Sequence, residues 1–178
     1  MFGSKMMRAA VATTIGLLAM GTLALTSVTS SAGANQAPMV HSSFSMTLTS
    51  QGKQLRTTGP GLNSTYGWNQ LTGPTTIDGQ ASSAEWLATV NYVNGSGACQ
   101  GFLTLTTPTG VLSMRVDGQA RYSSTAGITT FTGQLPIIGG TGSYANSSGW
   151  ATFTGNRTTA LGGAVNITVS TWLRTTGS

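Results

Sequence analysis

The sequence predicts an all-β fold on three observations. Apolar and polar residues alternate with a period of two through most of the chain. Thr-rich, β-branched runs oppose helix, and glycine interrupts every long window. Turn signals recur between the alternating runs, at Gly59-Pro60-Gly61, Asn94-Gly95, Pro108-Thr109-Gly110, Asp117-Gly118 and Gly162-Gly163. About seven to nine short strands at this spacing make a sandwich or a barrel.

The N-terminus is read separately. Lys5 and Arg8 precede an uncharged apolar run from Ala9 to Leu25, and Ala32-Gly33-Ala34 is a small-residue cleavage pattern. That is the layout of a secretory signal peptide over 1–34, with the mature chain starting near Asn35. An uncleaved anchor is the alternative. No Cys follows the cleavage site, and no second apolar run is long enough to span a bilayer. The expectation is a secreted protein with no membrane attachment after cleavage. Residues 35–43 read as a flexible leader and 44–178 as one β domain, large enough for a real core.

The strands follow in order. Ser43 to Ser50 puts Phe44, Met46 and Leu48 on one face. Tyr66 to Leu71 and Thr75 to Gln80 read as short strands between Gly and Pro turns. Glu85 to Val93 places Trp86, Ala88, Val90 and Tyr92 together. Gln100 to Thr106 pairs Leu103 with Leu105. Val111 to Asp117 sets Leu112, Met114 and Val116 against Ser113, Arg115 and Asp117. Thr129 to Ile138 is longer and mixed, and Gly149 to Thr154 and Gly163 to Arg174 close the chain.

Composition excludes several functions. Charged residues make up 6% of the chain, against about 25% in ordinary proteins. The formal charge of +5 therefore reflects scarce carboxylates, with three acidic residues in all. Lys53 and Arg56 are the only close basic pair of the mature chain, so no clustered footprint for nucleic acid exists. One His, one Cys and three scattered acids do not make a metal site. Cys99, alone, has no internal disulfide partner and reads as a small buried hydrophobe. His41 falls in the leader, away from any nucleophile. Gly140-Thr-Gly142-Ser-Tyr-Ala145 fits a dinucleotide fingerprint formally, but no helix and no distant acid follow it. No cofactor is expected.

Leu135-Pro-Ile-Ile-Gly-Gly-Thr-Gly-Ser-Tyr144 is a strand running into a Gly-rich corner, where Gly139, Gly140 and Gly142 serve a tight turn. Together with Gly110-Val-Leu-Ser-Met-Arg-Val-Asp-Gly118, Gly149-Trp-Ala-Thr-Phe-Thr154 and Val165-Asn-Ile-Thr-Val169, it resembles the second half of the allene oxide cyclase and dirigent barrel superfamily, in the manner of a secreted bacterial member. The resemblance covers roughly residues 85–174. It implies a single antiparallel β-barrel of about eight strands around an apolar cavity. It further implies a possible homotrimer and an activity that steers a cyclisation or isomerisation, or the coupling of phenolic intermediates. Residues 35–84 match no family pattern.

The candidate site residues follow from the faces. If the Arg115 and Asp117 face points inward, the pair offers a cation and an acid or base to an apolar pocket, with Tyr92 as a hydrogen-bond donor. If it points outward, the pair is a solvated surface charge, and Leu112, Met114 and Val116 are the natural inward set. Glu85 is a weaker charged candidate, read otherwise as a strand-end charge in water. Trp86, Tyr122, Tyr144, Trp150 and Trp172 are candidates to line a ligand cavity, and Trp68 shares with the other tryptophans the alternatives of filling core or lining a cavity. Two functions follow. A lumen that binds an apolar small molecule requires an enclosed pocket ringed by aromatics. A non-catalytic extracellular or cell-envelope structural protein that self-associates requires a filled barrel with an apolar outer patch.

Overall fold

The computed structural model describes residues 37–158 and 163–175. The segment read as a signal peptide and Gly162 lie outside the described residues. Eight strands form one closed antiparallel barrel in simple chain order, each paired with its successor and the last with the first. They are β1 (Val40–Thr58), β2 (Ser64–Ile77), β3 (Gln80–Val93), β4 (Ser96–Thr107), β5 (Gly110–Ser123), β6 (Ile128–Gly140), β7 (Ser147–Arg157) and β8 (Val165–Thr175). Short 3-10 turns at Pro60–Leu62 and Gly142–Tyr144 join β1 to β2 and β6 to β7. Closure removes the sheet edges, so among the described residues a chain so poor in charge presents no unpaired strand to a neighbour.

Alternation fills the interior. Trp86, Phe131 and Phe153 are all buried at its centre. Trp86 meets Phe153 edge-on at 5.8 Å between centroids and Phe131 at 6.4 Å. Gly118 and Gly133 pair across β5 and β6, and Phe153 pairs with Gly133 from β7. A Cβ on Gly118 would lie 2.6 Å from Phe153 Cζ. These two glycines are the seat of that ring.

Four elements differ from the sequence expectation. β1 begins at Val40, so residues 40–43 are not leader; His41 pairs with Trp172 of β8 and lies 4.8 Å from its ring. Residues 64–77 form one strand rather than two. Pro74 falls where the β1–β2 pairing is interrupted, between Met46↔Thr75 and Thr49↔Thr72, a place in a sheet that a residue without an N–H can occupy. Asp117-Gly118 is not a turn but the middle of β5. The Asp-Gly turn is instead Asp78-Gly79, both at positive φ (48° and 78°).

Candidate functional site

The hairpin order sorts the barrel's ends. The β2–β3, β4–β5 and β6–β7 connections and both ends of the described barrel chain share one end, here called the mouth. There a cup of about 260 Å³ opens, lined by Phe44, Ile77, Leu105, Leu112, Tyr144 and Leu173, with Ser42, Asp78, Thr107 and Thr171 among its polar groups. Deeper in the lumen lie two small voids of about 10 and 20 Å³. The barrel is packed except at its mouth.

The Gly-rich corner builds one wall of the cup. Thr141 N donates to Val111 O at 2.8 Å, and Ser143 N donates to Thr109 O at 3.0 Å. Thr109 Oγ1 and Ser143 Oγ share a hydrogen bond at 2.9 Å. The corner is thereby sewn to the β4–β5 turn. Gly142 adopts φ 57°, and a Cβ there would collide with the Thr109 carbonyl. The result carries Tyr144 over the mouth, half-buried against the core. On the facing side, Ser42 Oγ donates to Asp78 Oδ1 at 3.3 Å, and Thr171 Oγ1 donates to Ser42 O at 3.3 Å. The cup thus offers apolar walls, a ring at the rim and one carboxylate that accepts hydrogen bonds.

The expected site residues fall in four places. Tyr144 reaches the mouth. Trp86 and Tyr92 are deep in the lumen, Tyr92 being 2% exposed. Burial, with Cys99 adding to it and Arg157 opposing it, pushes the Tyr92 phenol well above its ordinary range, so it stays protonated as a donor. Tyr122 is exposed at the far rim, where a Cβ on Gly95 would touch its ring. Trp150 and Trp172 lie on the outer wall, stacked on each other at 4.0 Å and 13° between planes. Gly139 and Gly140 close β6, and Gly142 opens the 3-10 turn.

Arg115 and Asp117 are corrected to the outer face. Leu112, Met114 and Val116 take the inward parity of β5, and both charged side chains are exposed. Neither reaches the lumen. Cys99 is buried, and its thiol is pushed up to about 12 by burial, with the Asp117 charge adding to it; it is an inert filler rather than a nucleophile. Among the described residues no three His, Cys, Asp or Glu come together to hold a metal.

Two polar features were not anticipated. The outer wall of β1, β8, β7 and β6 is a grid of uncharged side chains, with Ser45–Thr168 and Thr47–Asn166 bonds at 2.9 Å. A shallow hollow of about 1080 Å³ lies against it, lined largely by Thr, Ser and Asn. It is larger than the cup but does not enclose a ligand. At the far end of the lumen sits Arg157, 6% exposed. The alternation Ala151, Phe153, Gly155 extended by one more step would have pointed to it.

No family model matches the chain, and no curated protein matches it. Solved structures do. Two pterocarpan synthase dirigent proteins each superpose with a TM-score of 0.53 at 13% identity, over 82% of this chain and 100% and 89% of theirs. The chain has the dirigent-type barrel fold. A pyocyanin demethylase is more distant, with a TM-score of 0.38, 18% identity and coverage of 74% of this chain and 99% of that one. The dirigent-type barrel of this chain differs from the simple expectation in its packed centre. Of the spaces described inside the barrel, the largest is at the mouth.

Proposed function

We propose that this dirigent-like barrel is an exported protein that binds a small, mainly apolar molecule at its mouth, with a hydroxyl of the ligand donating to Asp78. The observation that carries this reading is the 260 Å³ cup, apolar on most of its wall and backed by the packed lumen. Its volume is slightly below the roughly 300–1,000 Å³ of common ligand sites, which selects molecules of about one ring. The dirigent fold supports the further reading that binding steers the conformation of a reactive guest. Such steering works by holding one conformer and needs few titratable groups.

The test is ligand-observed NMR with 4-propylphenol and its methyl ether, on the wild type and on Leu112→Trp. Binding of the phenol, weaker binding of the ether and loss of both in Leu112→Trp support the reading. Equal signals in wild type and variant would remove the cup from it.

A second reading is self-association through the outer wall. It is favoured by Trp68, Leu87 and Phe102, each 44–50% exposed on neighbouring strands, with Leu87 directly opposite Phe102. Sedimentation velocity on the wild type and Phe102→Lys decides it. A higher species lost in the variant supports association, and a monomer in both excludes it.

A further inference from the structure

The lumen end away from the mouth holds a cation without an anion among the described residues. Arg157 Nη2 donates to Thr129 Oγ1 at 3.3 Å, and its guanidinium carbon lies 5.5 Å from the Phe131 centroid. Its Nε is fully enclosed and has no hydrogen-bond partner among the described residues. A buried guanidinium is ordinarily neutralised by a carboxylate, because an isolated charge in a low-dielectric interior is costly. None of the chain's three acids does this. Asp78 is in a turn at the opposite end, Asp117 is exposed on the outer wall, and Glu85, on the outer parity of β3, accepts from Gln70.

A second donor is in the same condition. Trp86 is 4% exposed, and its indole Nε1 also lacks a partner. Trp86 and Arg157 line one cavity of about 20 Å³ together with Tyr92, Asn69 and Phe131. Both unpartnered groups can only donate. The cavity has room for a single water-sized particle and for no organic carboxylate. A water there would accept from the donors but leave the charge unanswered. A halide ion does both.

We propose that this cavity is a binding site for one monatomic anion of the halide class, held by Arg157 Nε with the Trp86 indole N–H as second donor. The anion takes the place of the carboxylate that the sequence omits. Its occupancy stabilises the folded barrel in proportion to halide concentration, because the unfolded chain has no such site. The site is independent of the mouth, so each stands or falls alone.

The experiment is thermal unfolding of the protein in potassium gluconate, with bromide or chloride replacing gluconate at constant ionic strength. The wild type is expected to gain several degrees in Tm along a saturating curve, and Arg157→Met to show no halide-specific gain. Should Arg157→Met fail to fold, Trp86→Phe keeps the test, with the halide concentration at half-effect raised severalfold. Crystals grown in bromide are expected to show one anomalous peak within hydrogen-bond distance of Arg157 Nε. Identical melts in halide and gluconate would overturn the proposal, as would a halide gain unchanged in the variant that folds. A cavity occupied by water alone in bromide crystals would do the same.

Discussion

The two ends of this lumen are built from the same eight strands and the same alternation, yet one is open and the other closed. At the mouth, Phe44, Leu112 and Leu173 surround space because the wall beyond them is a tethered loop carrying Tyr144. At the far end, Leu55, Arg157 and Val165 converge until about 20 Å³ remains. The cup at the mouth has a carboxylate in its wall; the far end has a buried cation and, among the described residues, no carboxylate. The contrast teaches that in a packed barrel the room for function lies at the ends. What each end does depends on the last inward residue of each strand and on the connections beyond it.

The largest expected effect removes what both ends share. Phe153→Ala should cost ~3–5 kcal/mol, since it empties the seat formed by Gly118 and Gly133 and strips Trp86 of its edge contact. Urea unfolding would measure it; a loss below about 1 kcal/mol would mean that the centre is not packed as described. The closed end comes next. In halide-free buffer, Arg157→Met should raise stability by ~1–4 kcal/mol, because it replaces an unanswered buried charge with an apolar side chain of similar length. A drop in stability there would show that the guanidinium is already compensated.

At the open end, Gly142→Val should cost ~1–3 kcal/mol, because a β-branched residue is forced into positive φ against the Thr109 carbonyl. It should also weaken ligand binding at the mouth through displacement of Tyr144. Unchanged binding in a destabilised variant would separate the corner from the cup. Alkali sharpens the comparison from the closed end. Cys99 has a folded value of about 12 against an ordinary 9.0. Its contribution is therefore present below pH 9 and is lost as pH rises from 9 toward 12, where only the unfolded chain releases the proton. Tyr92, raised in the same direction, adds to the loss at higher pH. Cys99→Ala should flatten the early part of that decline; an unaltered slope would assign it to Tyr92 alone. The smallest effect belongs to neither end. Trp150→Ala breaks the outer stack with Trp172 and should cost ~0.5–1.5 kcal/mol without changing binding at the mouth.

Much of this architecture is legible in the sequence because a period of two is an unambiguous physical signal. The inward sets of β1, β3 and β5 follow directly from Phe44-Met46-Leu48, Trp86-Ala88-Val90-Tyr92 and Leu112-Met114-Val116. The turns were harder. Asp78-Gly79 and Asp117-Gly118 are the same dipeptide, but only the first is a turn. Val116 and Ala120 continue the alternation through the second, and Gly118 is small there because Phe153 needs the space. Nothing local states that need. Arg157 was hidden for a related reason: a charged side chain reads as the end of a strand, although the alternation runs on to it. The cup itself depends on where the Gly-rich corner is tied, and the hydrogen bonds from Thr141 and Ser143 to β4–β5 are contacts across some thirty positions of sequence.

The most direct test of a ligand cup at the mouth is a crystal structure of the protein soaked with 4-propylphenol. The ring is expected between Phe44, Leu112 and Tyr144 with its hydroxyl on Asp78, and an undisturbed Trp86 beneath it. A ring lodged in a reopened centre beside Trp86, or only on the outer wall near Trp150, would contradict it.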